Sequence, residues 1–119
     1  MQLLTKEIKE KLLRNWEDNQ LAIQQDKNTI DFRPVVKFFA GGSATWLITE
    51  MDSNDKDSLF GLCDLGLGYP ELGYVSLREL KNITFFPPYL SVERDRYFKA
   101  DKTLSQYHNE AIEAHRIIA

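Results

Sequence analysis

The run "LFGLCDLGLGYPELGYVSL", residues 59–77, places four of the chain's six glycines beside its single cysteine. Such a run can cradle a phosphate, activate a thiol, or turn the chain between strands. A dinucleotide cradle requires Gly-x-Gly-x-x-Gly between a strand and a helix, so that the pyrophosphate meets a helix N-terminus. Gly66 and Gly68 have that spacing, but Glu71 stands at the third position, after a Tyr-Pro pair. An anionic side chain repels phosphate, and the flow here is strand to loop to strand. Backbone geometry is the simpler role: Gly61 as a bulge or close-packing point, and Gly66, Gly68 and Gly73 as turn residues. A nucleophilic cysteine requires a lowered pKa. Cys63 sits in an apolar run next to Asp64, whose charge opposes a thiolate, and it reads as a small buried residue.

Other chemistry-bearing groups are sparse. His108 and His115 are seven apart, which on a helix separates them by about 10.5 Å along the axis, too far to chelate one metal. Asp52, Asn54, Asp55 and Asp57 resemble a calcium loop in composition only. Lys56 and Asp57 fall where that loop needs an oxygen ligand and a glycine. No metal or other cofactor is expected. Glu93 and Asp95 alternate with Arg94 and Arg96. On a strand the two acids share a face and, joined by Glu71, they define an acid–base alternative. The commoner explanation is an ion-pair ladder with a neighbouring strand. In "FFPPY", residues 85–89, two prolines stiffen a segment bearing Phe85, Phe86 and Tyr89, which serves as a binding patch or as a plug at the end of the core.

The elements that must position these groups follow from periodicity. Ile8, Leu12, Trp16 and Ile23, with Leu13 beside them, mark an amphipathic helix over 5–25 with Thr5 as N-cap. "VVKFF", "TWLITEM" and "SLFGLCDL" read as three strands, joined by the turn "AGGSA" and the polar loop "DSNDKD". On the second strand, alternation puts Trp46 and Ile48 on one face and Leu47 and Met51 on the other. "GYVSL" enters a short fourth strand. Ser76 and Glu79 match a capping box for a short helix, and Thr103 and Gln106 match one for a final helix over 103–118. That last helix shows a stripe of Leu104, Tyr107, Ala111, Ile112 and Ile118. "SVERDRYFKA" alternates as a strand. Short connections favour an antiparallel meander. The expected fold is a single α+β domain, a small antiparallel sheet of four to five strands flanked by N- and C-terminal helices.

At 119 residues the chain is long enough to bury a core without disulfides or a metal. Its net charge of −3 and pI near 5.4 argue against nucleic-acid binding as the default. Charge is uneven: residues 50–71 carry six acids against one base, and 78–102 carry six bases against four acids. One cysteine and the absence of a leader or a long apolar stretch predict a cytoplasmic protein with no membrane association.

Three stretches carry a family resemblance: "ATWLITEMD", "LFGLCDLGLGYPELGYVSLREL" and "VERDRYF". Over residues 35–106 the chain resembles a bacterial family known as domain of unknown function 2958. That resemblance implies a bacterial protein of plasmids or other mobile elements, with relatives beside conjugation or antirestriction genes. It implies no mechanism and carries over no catalytic residue.

The functional expectation is a non-catalytic protein-binding module that acts on a host defence component. Its partner-binding candidates are Asp52, Asp55, Asp57, Tyr69, Glu71, Phe86 and Tyr89. One alternative is a small enzyme built on Glu71, Glu93 and Asp95. Another is nucleic-acid binding through Arg78, Lys81, Arg94, Arg96, Lys99 and Lys102.

Overall fold

A computed structural model of the protein describes residues 2–85 and 90–119. Helix α1 (Lys6–Gln24) starts where Thr5 Oγ1 accepts the Ile8 amide at 3.1 Å, which satisfies one of the free donors of the first turn. Strands β1 (Val36–Ala40), β2 (Ala44–Asp52), β3 (Asp55–Asp64) and β4 (Glu71–Ser76) follow, then the short helix α2 (Leu77–Asn82). The two-residue strands β5 (Thr84–Phe85) and β6 (Leu90–Ser91) pair with each other. Strand β7 (Glu93–Arg94) and helix α3 (Leu104–Ala114) complete the chain.

The main sheet is antiparallel with the order β4-β3-β2-β1-β7. The β1–β2 turn at 41–43 uses positive φ at Gly41 and Gly42, as its sequence predicts. One face of the sheet buries Phe38, Trp46, Ile48, Met51 and Leu59 against Leu12 of α1 and Leu80 of α2. The other buries Leu47 and Leu62 against Leu104, Tyr107 and Ala111 of α3. The α+β architecture with flanking terminal helices is therefore as expected.

Several local readings are corrected. Met51 lies with Trp46 and Ile48, not with Leu47. A β-bulge between Ile48 and Glu50 inserts one residue and reverses the alternation beyond it. Opposite the bulge, a Cβ on Gly61 would lie 2.0 Å from the Leu47 carbonyl oxygen, so the close approach of β2 excludes any side chain there. Gly66 and Gly68 turn the chain with positive φ, whereas Gly73 is a strand residue paired with Gly61. The polar loop shrinks to residues 53–54, because β2 and β3 extend into it. The strand expected over 91–100 is broken: Ser91 pairs with Thr84 in the small sheet, and only Glu93–Arg94 join the main sheet, since Asp95 Oδ1 accepts the Tyr97 amide and turns the chain. Helix α3 stops at Ala114, where His115 takes a left-handed conformation (φ 60°). Ile112 and Ile118 are exposed, and Ile117 is buried in their place. On α1 Ile23 is exposed, and the buried face runs instead through Asn15, Asn19 and Ala22.

Candidate functional site: a carboxylate cleft and an apolar sheet edge

The buried asparagines of α1 lead to the first site. Asn15 Nδ2 donates to the Thr49 carbonyl at 3.0 Å, a group that the bulge removes from regular pairing. Asn19 Nδ2 donates to Glu50 Oε1 at 3.1 Å, and Asn19 Oδ1 accepts the Ile30 amide at 2.6 Å. Thus one side chain joins α1, the 25–35 connection and β2. Glu50 retains only 8% of its accessible surface. Burial raises its pKa above the ordinary value, against the lowering effect of hydrogen bonds from Asn19 and Thr49. Thr49 Oγ1 lies 3.5 Å from Glu50 Oε2 and 3.4 Å from the Phe60 carbonyl. One hydroxyl hydrogen serves only one of them at a time.

Glu50 lines a cleft of about 460 Å³ between the end of α1, the 25–35 connection and the start of α3. The register pairs Glu50 with Phe60 and Phe60 with Tyr74, so a row of three side chains crosses β2, β3 and β4. The Phe60 and Tyr74 rings stand 5.1 Å apart. Trp16 and Phe32 line the same cleft. Asp31 also lines it, held by the Ser105 amide at 3.1 Å and by the Ser105 hydroxyl. Its pKa is lowered: desolvation acts upward, and the bonds from Ser105 and Thr103 outweigh it.

The second site is an edge. Among the described residues, β4 pairs only with β3 and ends the sheet. Leu65, Leu67, Tyr69, Leu72, Tyr74 and Ile112 are six of the twelve exposed large apolar side chains among the described residues. Tyr69 keeps 80% of its surface and Leu67 73%. Tyr69, Pro70 and Leu72 form one wall of a groove of about 620 Å³, and His108, Ile112 and His115 line it from α3 and its C-cap. The loop beneath is held by Asp64, which is buried. Its Oδ1 accepts the Gly66 amide at 2.8 Å and its Oδ2 accepts the Ile117 amide at 2.9 Å.

The expected site residues do not form one cluster. Tyr69 and Glu71 lie together at the apolar edge. Asp52 Oδ1 accepts the Asn54 amide in the β2–β3 turn, and Asp55 Oδ1 accepts the Asp57 amide at the start of β3, both local contacts. Asp57 caps α2, taking the Ser76 hydroxyl at 2.5 Å and the Arg78 amide at 2.8 Å. These bonds, that from Ser76 first, hold its pKa below the usual carboxylate value. Phe86 and Tyr89 lie outside the described residues. The carboxylates of the enzyme alternative do not converge. Glu71 is on β4 and Glu93 on β7, the two outer strands, four strand spacings or about 19 Å apart. Asp95 pairs with Lys37 at 3.7 Å, in keeping with a cross-strand ion pair. The basic candidates are dispersed as well. Arg78 and Lys81 are on α2, Arg94 on β7 donates to the Gln2 carbonyl at 2.7 Å, and Lys102 pairs with Glu110 at 3.3 Å. Arg96 and Lys99 follow β7 and are exposed.

Cys63 is half-buried, and its thiol pKa is pushed up to about 11, first by desolvation and then by the Glu71 charge. The opposing acid is Glu71, its cross-strand partner, and not Asp64, which points to the other face. Sequence reasoning missed Glu50, Asn15 and Asn19. A glutamate inside the apolar run of β2, and two asparagines one helical turn apart beside Leu12 and Trp16, were the available signals.

No curated protein and no solved structure matches the chain. Both sites, from Trp16 to His115, fall within a match over residues 3–118 to the family described as "Protein of unknown function (DUF2958)". That span exceeds the 35–106 core on which the resemblance rested and takes in α1 and α3, so the chain belongs to the DUF2958 family.

Proposed function

We propose that the protein is a non-catalytic binding module that captures an extended protein segment along β4. The carrying observation is the open edge. Strand β4 spans six residues, contains no proline or lysine and a single charged residue, Glu71 at its start, and lies beside the exposed side chains of the 65–74 run. Exposed edges are normally blunted by charge, proline or shortness, as at the two-residue, charged β7. A partner strand gains main-chain hydrogen bonds from β4, while the groove beside Tyr69 and Leu72 receives alternate side chains. The partner is taken to be a host defence component and the protein a bacterial mobile-element product on the strength of the family resemblance, and the cytoplasmic setting on the single cysteine.

Photo-crosslinking from position 69 in bacterial lysate tests the reading, with position 97 as the control, because Tyr97 is 92% exposed yet outside the edge. The expected result is one saturable adduct from position 69, with slowed amide exchange in β4 of the purified complex. Equal labelling from both positions, or an adduct formed only with a second copy of the chain, would refute it.

A further inference from the structure

We infer that the Glu50 cleft is a binding site for a small organic cation, an ammonium or guanidinium group carried on an apolar or aromatic body. Among the described residues its lining contains two carboxylates, Glu50 and Asp31, and no lysine, arginine or histidine. An anionic ligand would meet uncompensated repulsion there. Trp16, Phe32, Phe60 and Tyr74 supply apolar surface for the body of the ligand and attract a cation through their ring quadrupoles. The volume of about 460 Å³ falls in the range of small-molecule sites.

The position of Glu50 supports the same conclusion. A buried carboxylate in a strand is costly, and an apolar residue there would pack without that penalty. Instead, Asn19, Thr49 and a β-bulge hold the acid at the cleft. A cation beside Glu50 offsets the burial penalty, because the carboxylate then ionises against a fixed opposite charge. The cleft is distinct from the β4 groove, although Leu72 borders both.

Titration of the full chain with phenethylammonium, phenethyl alcohol and phenylacetate tests the inference. Isothermal calorimetry and the indole N–H resonance of Trp16 are the readouts. The cation is expected to bind about tenfold more tightly than the neutral alcohol, and the anion more weakly than either. Glu50→Gln keeps a donor and an acceptor for Thr49 and Asn19, and is expected to reduce the preference for the cation over the alcohol, with Asp31 and the rings retaining the remainder. Trp16→Leu is expected to weaken both ligands while preserving their order. Equal binding of the three compounds, or an unchanged cation preference in folded Glu50→Gln, would overturn the inference. If Glu50→Gln does not fold, the three-compound ranking on the unaltered chain decides alone.

Discussion

Gly61 and Gly73 face each other across β3 and β4, yet substitution by alanine has opposite expected effects. At Gly61 the new Cβ would lie 2.0 Å from the Leu47 carbonyl oxygen and 2.9 Å from the Ile48 Cα. A close C···O approach is about 3.3 Å, so β2 and β3 must part by about 1.3 Å. Both obstructing atoms are backbone, so no side-chain rotation relieves the clash. Overpacking of this kind costs up to about 3 kcal/mol, and each stretched ladder hydrogen bond adds about 1 kcal/mol. We expect Gly61→Ala to lose about 3–5 kcal/mol, which for a domain of this size lowers Tm by about 10–20 °C. At Gly73 a Cβ meets nothing within 4 Å and the backbone needs no positive φ. Gly73→Ala restricts the unfolded chain and adds about 0.5 kcal/mol, or roughly 2 °C. Thermal unfolding by circular dichroism, with urea titration to check that m is unchanged, measures both. A Gly61→Ala Tm within about 3 °C of the parent, or an equal loss at Gly73, would refute the close-approach argument.

Two further outcomes follow from the buried acids. Because the Glu50 pKa is raised on folding, its contribution falls as pH rises from the unfolded value through the folded one. Glu50→Gln should therefore match the parent in stability near pH 4 and exceed it by a margin that grows until the folded pKa is passed and is constant above it, as read from urea midpoints over a pH series. Asp64→Asn keeps one acceptor but turns an amide group toward either the Gly66 or the Ile117 N–H. The unfolding free energy in urea should drop by about 2–3 kcal/mol, and a neutral result would show that Asp64 is no clasp.

What was legible in the sequence is what local chemistry decides. Thr5 and Ser76 cap their helices because a hydroxyl needs only the next turn as a partner. Gln106 closes back on the Thr103 amide for the same reason. The Gly-Gly turn and the rejection of a phosphate cradle at Glu71 are equally local. The bulge at Thr49 was not legible, since it depends on how closely β3 approaches at Gly61, a residue outside β2. Missing it reversed the alternation beyond Ile48, misplaced Met51 and concealed Glu50. Asn15 and Asn19 were hidden similarly: on a helix wheel they look solvated, and only the bulged carbonyl and carboxylate supply their buried partners. Separation across the sheet was also beyond reach, and it is what keeps Glu71 from Glu93.

The contrast between the two sheet edges also limits how this protein can self-associate. Polymerisation by strand addition needs a donor edge on one copy and a different acceptor edge on the next. Here β4 offers a long edge, while β7 offers two residues carrying a glutamate and an arginine. Copies meeting through β4 would exhaust their adhesive surface in a closed, two-fold pair. A fibre requires the far edge to accept as readily as the near one gives, and among the described residues of the main sheet the far edge is only two residues long.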